Sequence, residues 1–198
     1  MEKEIRQLNV DELRVKQEDD KPTIFEGYVS KFNERSQFMG FYETVHRDAF
    51  NSSLESGNNI FALYNHDADK ILGSTRNESL KLSTDETGLR FQLQPNLNIS
   101  YAKDVAELIR SGEIRGCSFG FRVNKDEWTT KDGHDYRTLL DVDLMEITVT
   151  PMPAYESSEV SCRSYEQFKE KQKQQEQRNK DLELLKLQMD LLKSTYDK

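Results

Sequence analysis

Long apolar runs are missing from this chain of 198 residues. None approaches the roughly 20 residues that a membrane-spanning helix requires. The opening stretch MEKEIRQLNV also has no apolar core of the kind a secretory signal needs. Cysteine is scarce: Cys117 and Cys162 are the only two, and they show no metal-ligand spacing. A basic excess is missing too. With a formal net charge of -8 and no basic stripe, the chain is not expected to hold a phosphate backbone, so nucleic acid is excluded as a partner. These absences lead to the expectation of a soluble protein of a reducing compartment that uses no membrane.

The chain is also short of core-forming residues. Hydrophobic content of 35% against 32% charged lies on the polar side of globular averages, so one part is expected to lack a core of its own. That part is the tail. SYEQFKEKQKQQEQRNKDLELLKLQMDLLKSTYDK contains neither glycine nor proline, and it carries Leu182, Leu185, Met189 and Leu192 at three- and four-residue steps. The pattern predicts an amphipathic helix over 164–198, following a domain over 1–163. Its Leu-rich end needs burial, either on its own domain or against a partner or a second copy. No internal repeat is visible, and the Gln/Lys run of the tail is the one low-complexity stretch.

Before the tail, strands and turns dominate. TIFEGYVSKFN reads as a strand, HRDAFNSSLESG as a short helix stopped by Gly57, and NIFALYNHD as an apolar strand that ends in a polar turn. Alternation on both sides of DETG predicts a β-hairpin with Leu80, Leu82, Leu89, Phe91 and Leu93 on one face. NISYAKDVAELIRSG predicts a helix with Asn98 or Ser100 as N-cap, Ala102, Val105, Ala106 and Ile109 inward and Gly112 at its end. Two more strands flank the turn KDGHD. Hairpins with few helices point to an α+β fold, a mainly antiparallel, barrel-like sheet with helices packed outside.

Three residues form a candidate site. In GEIRGCSFGFRV, alternation places Cys117, Phe119, Phe121 and Val123 on a core face and Gly116, Ser118 and Gly120 on a nearly bare one. A nucleophilic serine needs room for a carbonyl and nearby backbone N–H groups, which flanking glycines allow. A small residue under a close packing contact gives the same pattern. His66 ends the apolar run from Ile60 to Tyr64, a fitting place for a general base, although Asn-His-Asp is also an ordinary turn. His46 and His134 are the competing imidazoles, the latter in an exposed turn. In LLDVDLMEITVTPMPAY, parity groups Leu140, Val142, Leu144 and Glu146 on one face and Met145, Ile147 and Val149 on the other. Glu146 thus ends an apolar row, where an imidazolium is a suitable partner and solvent or a lysine another. Asp67 and Glu26 are alternative acids. Cys117 is an alternative nucleophile that parity opposes.

Taken in order, EGYVSKFN, RDAF, LYNHD, LGST, GLRFQL, IRSGEIRGCSFGFRV and LMEITVTPMPAY resemble the prohead maturation serine proteases of tailed bacteriophages, which are related in fold to the herpesvirus assembly proteases. The resemblance covers about Thr23 to Val160. It implies Ser118 as nucleophile, His66 as base and Glu146 as third member; the herpesvirus relatives use a second histidine, which this chain does not have at that position. It implies no metal or organic cofactor. Gly116, Phe119, Arg115, Arg122 and Arg137 are candidates for oxyanion or substrate contacts. The implied role is an endopeptidase in the host cytoplasm, inside the assembling procapsid, that cuts the scaffold segment from the major capsid protein and often cuts itself. The portal and a second copy of the chain are further expected partners. A catalytically silent scaffold or capsid-binding module is the competing reading, with the long terminal helix as its support.

Overall fold

Alternating apolar residues set the inward face of most strands, although the stretches Gly116–Phe121 and Glu146–Thr150 are buried on both faces. A computed structural model describes residues 3–9, 13–17, 22–151 and 159–196, leaving aside the side chains of 7–9, 159–164 and 190–196. The MPAY part of the TPMPAY segment and the side chains of Cys162 and Leu192 lie outside the described residues. In chain order the elements begin with β1 (Glu4–Asn9), β2 (Arg14–Lys16), β3 (Ile24–Lys31), β4 (Tyr42–Val45), α1 (Asn51–Glu55), β5 (Phe61–Tyr64) and β6 (Asp67–Ser74). There follow β7 (Leu80–Thr84), β8 (Gly88–Leu93), α2 (Ser100–Arg110), β9 (Gly116–Lys131), β10 (His134–Thr150) and α3 (Glu159–Tyr196).

The fold is α+β, and its larger sheet is mixed and curls into a half-barrel. The order is β1-β9-β10-β5-β6, with β4 also pairing β10. β10 runs antiparallel to β9 but parallel to both β4 and β5, so the sheet is less antiparallel than hairpin reading predicts. The second sheet, β2-β3-β8-β7, is antiparallel throughout. Its hairpin places Leu80 opposite Leu93 and Leu82 opposite Phe91, as the alternation around DETG requires.

Both sheets contribute to one apolar cluster, with Phe25, Leu89, Phe91 and Leu93 from one and Phe119, Phe121, Val142, Leu144, Ile147 and Val149 from the other. α2 adds Ala102, Val105, Ala106 and Ile109, and Gly112 follows it with φ 79. Its N-cap is Ile99, without a side-chain cap bond, in place of Asn98 or Ser100. The reason is local: Asn96 Oδ1 accepts from Asn98 N–H in an Asx turn, so the turn at the helix start is held one step earlier.

By its contacts the chain divides into two units, Met1–Val160 and Ser161–Lys198. The described residues of the second, as far as Tyr196, are helix. In its C-terminal half Leu182, Leu185 and Met189 are exposed, and so are Leu184 and Leu187. The last two fall on the opposite side of a 3.6-residue helix, so the apolar positions do not gather on one stripe. No helix among the described residues is long and apolar enough to cross a membrane.

Candidate active site

Ser118 owes its place to the pairing of β9 with two neighbours. On one side Ser118 stands opposite Thr148 of β10, and on the other opposite Gln7 of β1. Cys117, Phe119 and Phe121 point into the core, where Phe119 stacks on Phe121 at 5.0 Å between ring centroids. Burial pushes the Cys117 thiol up to about 12, which together with its place on the core face disfavours it as a nucleophile. Phe119 has only its backbone N–H to offer an oxyanion.

His66 sits in the tight turn joining β5 to β6, where Tyr64 pairs with Asp67. Asn65 and His66 have φ of 53 and 58, the left-handed pair of a type I′ turn that twists with the strands it joins. A histidine in that conformation needs support, and Thr148 gives it: its Oγ1 accepts from the His66 N–H at 3.0 Å and donates to Leu63 O at 2.9 Å. Thr148 escaped the sequence reading because a strand threonine looks like ordinary β-propensity.

Glu146 reaches the same face by a bulge. The register passes from Leu144–Phe121 directly to Glu146–Gly120, so Met145 is the extra residue. Ser53 Oγ accepts the Leu144 N–H at 2.8 Å there. Uninterrupted parity grouped Glu146 with Val142 and Leu144 and set Ile147 and Val149 apart. The bulge corrects this. Val142, Leu144, Ile147 and Val149 share the core face, while Glu146 and Thr148 join Ser118 and Gly120 on the other. Leu139, fully buried, replaces Leu140 in the core row for the same kind of reason, an irregularity between Leu139 and Asp141.

The three side chains form one hydrogen-bonded row. Ser118 Oγ lies 2.8 Å from His66 Nε2, and His66 Nδ1 lies 2.7 Å from Glu146 Oε1. Burial alone raises the pKa of Glu146, but the hydrogen bonds and charges of His66 and Lys3 outweigh it and hold the group below the ordinary carboxylate range. A carboxylate at Nδ1 keeps the imidazole proton there, leaving the Nε2 lone pair free to take a proton from a hydroxyl. Lys3 Nζ stands 2.9 Å from the same Oε1, whereas the buried Oε2 has no hydrogen-bond partner among the described residues. Gly120 makes the row possible, since a Cβ there would lie 2.5 Å from Glu146 Oε1.

The alternative acids lie elsewhere. Glu26 is bound by Arg14, Lys16 and Arg90, and Asp67 by Lys70 and the Asp69 N–H. His46 pairs with Asp48 at 3.6 Å, and His134 is exposed. Among the arginines, Arg115 donates to Gly112 O and Arg122 is exposed beside Asp143 across the ladder. Arg137 is buried and engaged by Glu4 at 2.9 Å, Glu43 at 3.2 Å and Asp126 at 2.7 Å. Gly116 pairs with Thr150 and Asn9 at the start of β9. Among the described residues no group of three or more histidines, cysteines or acids is placed to hold a metal ion.

Comparison with known proteins follows the same line. A family model described as Caudovirus prohead serine protease matches residues 11–171. The prohead protease of Enterobacteria phage HK97 is 29% identical over 159 residues, which is 79% of this chain and 68% of that protein. No solved structure matches the chain.

Proposed function

Because the chain belongs to the caudovirus prohead serine protease family, we propose that it is the endopeptidase that cleaves the scaffold segment of the major capsid protein inside the assembling procapsid, with Ser118, His66 and Glu146 as its triad. The observation that carries this reading is the unbroken row from Ser118 Oγ through both ring nitrogens of His66 to Glu146 Oε1. His66 Nε2 takes the hydroxyl proton as Ser118 Oγ attacks the scissile carbonyl. Glu146 stabilises the resulting imidazolium, and backbone N–H groups near Gly116 and Phe119 are the candidates to receive the oxyanion. The imidazolium then protonates the leaving amine, and water hydrolyses the acyl-enzyme by the same base.

The procapsid interior is the proposed workplace, with capsid and scaffold segments as partners and the portal and a second copy as further ones. A fold relationship with the herpesvirus assembly proteases belongs to the same proposal, supported by the curled mixed sheet. We assign α3 a recruiting role on its polar spacer and Leu-rich end. Co-expression with the phage's capsid protein tests the reading. The wild-type chain should yield a shortened capsid band and the Ser118→Ala chain none. A full-length capsid band with both, alongside a folded protease, would favour a silent scaffold module.

A further inference from the structure

The serine of the row is fully buried, with no exposed surface at all. What covers it is β1, the edge strand of the larger sheet, which precedes the span matched by the family model. β1 does more than close an edge. The Ser118 hydroxyl donates to the carbonyl oxygen of Arg6 at 2.8 Å. A hydroxyl has one proton, so Arg6 O and His66 Nε2, both at 2.8 Å, compete for it, and the share that Arg6 O holds is withheld from the base. Lys3, just before the strand, stands on the Glu146 oxygen that also faces His66 Nδ1. Both ends of the row are therefore engaged by one segment of this same chain.

The side chain of Arg6 is equally committed. Its guanidinium lies 5.5 Å over the Phe121 ring and pairs with Glu43, Nη2 to Oε2 at 2.8 Å. Glu43 is buried, and without β1 Arg137 keeps its Oε2 at 3.2 Å while its Oε1 loses the Arg6 Nε–H, so the pocket retains an open carboxylate oxygen that a basic side chain can meet. An extended peptide that joins a free sheet edge gains main-chain hydrogen bonds along the ladder and places alternate side chains in pockets. β1 does both along β9, from Glu4–Phe121 to Asn9–Gly116.

We propose that Glu4–Asn9 is an in-chain occupant of the β9 edge on which a substrate strand docks, and that Arg6 stands where the residue before the scissile bond would stand. The inference rests on the triad reading above. A reacting substrate turns its carbonyl carbon to Ser118 and its oxygen to N–H donors. Arg6 instead gives Ser118 its oxygen, so the strand holds the enzyme latent and is not cut. Once β1 leaves, the edge accepts an extended segment of another chain, and the Glu43 pocket selects a basic side chain at that position.

The probes are two diphenyl phosphonates, one with a guanidinium side chain and one with an alkyl side chain, with labelling of Ser118 followed by mass spectrometry. A chain lacking residues 1–9 should be labelled at least roughly tenfold faster than the full chain, because the competent fraction rises. The guanidinium probe should outpace the alkyl probe in the truncated chain. The free peptide EIRQLN should slow that labelling, and the same peptide with glutamate in place of its arginine should slow it less. Should the truncated chain fail to fold, Arg6→Glu in the full chain should raise labelling instead. Equal rates for full and truncated chains, an unchanged rate for Arg6→Glu, or no preference for the cationic probe would overturn the proposal while leaving the triad standing. If no form is labelled by either probe, the triad reading falls and this one with it.

Discussion

Glu146→Gln isolates the carboxylate charge from its shape. The Glu146 oxygen and His66 Nδ1 are 2.7 Å apart in a buried setting. Taking the charge centres at about 4 Å and an effective dielectric of about 20, the attraction for an imidazolium is about 4 kcal/mol. Lys3 shares the same oxygen and weakens its field, so about 2–4 kcal/mol is the part at stake. At about 1.4 kcal/mol per decade, kcat should fall by about 30-fold to 1,000-fold. The fold should survive at a modest cost, because the amide keeps the shape but gives up the charge that His66 and Lys3 favour in the folded chain. The assay is steady-state hydrolysis of a fluorogenic peptide spanning the capsid junction, with thermal melts as control. A variant that melts like wild type and turns over within threefold of it would refute the role given to Glu146. Neither Glu26 nor Asp67 would then be a ready substitute, since other cations hold both.

Four further outcomes are expected. Gly120→Ala should lower kcat at least roughly tenfold with little change in KM, as the new methyl displaces the Glu146 carboxylate. Thr148→Val removes the acceptor of the His66 N–H, so it should lower stability by about 1–3 kcal/mol in denaturant melts and slow turnover as the turn loosens. Cys117→Ala should cost about 1 kcal/mol of packing and leave turnover near wild type; abolished turnover in a folded variant would return the nucleophile to Cys117. Burial works against the Glu26 charge, but Lys16 and Arg14 bring its pKa from 4.5 to about 2. Its contribution is therefore complete above the ordinary range and lost as pH falls toward about 2. Its cationic partners are largely exposed, so the contribution is about 1–2 kcal/mol after screening, and urea melts of Glu26→Gln against wild type should converge in acid.

Strand parity set Ser118 on the face opposite Cys117 and Phe119 because β9 runs without interruption from Gly116 through Val123, but the face expected to be nearly bare is covered, and Ser118 is fully buried. It misplaced the neighbours of Glu146 because a bulge at Met145 is fixed by a partner, Ser53, far away in sequence. The strand and turn that carry His66 were legible from the apolar run before it, while its support from Thr148 depends on the parallel pairing of β5 with β10. β1 was not read as a strand. EIRQLN carries charges at positions that are buried, and charged residues are rarely buried unless paired. Here Glu4 and Arg6 are paired through Glu43 and Arg137, which come from distant strands.

The position of β10 in the larger sheet has a consequence for timing. It is the last strand of its unit to leave the ribosome, yet it lies in the middle, with β9 on one side and β4 and β5 on the other. Until it inserts, Ser118 belongs to one strand pair and His66 to another, with no register between them. Pairing at such sequence separation is slow to form. On the proposed triad, a nascent or half-folded chain would be inert, because the row is assembled only when the final strand closes the sheet.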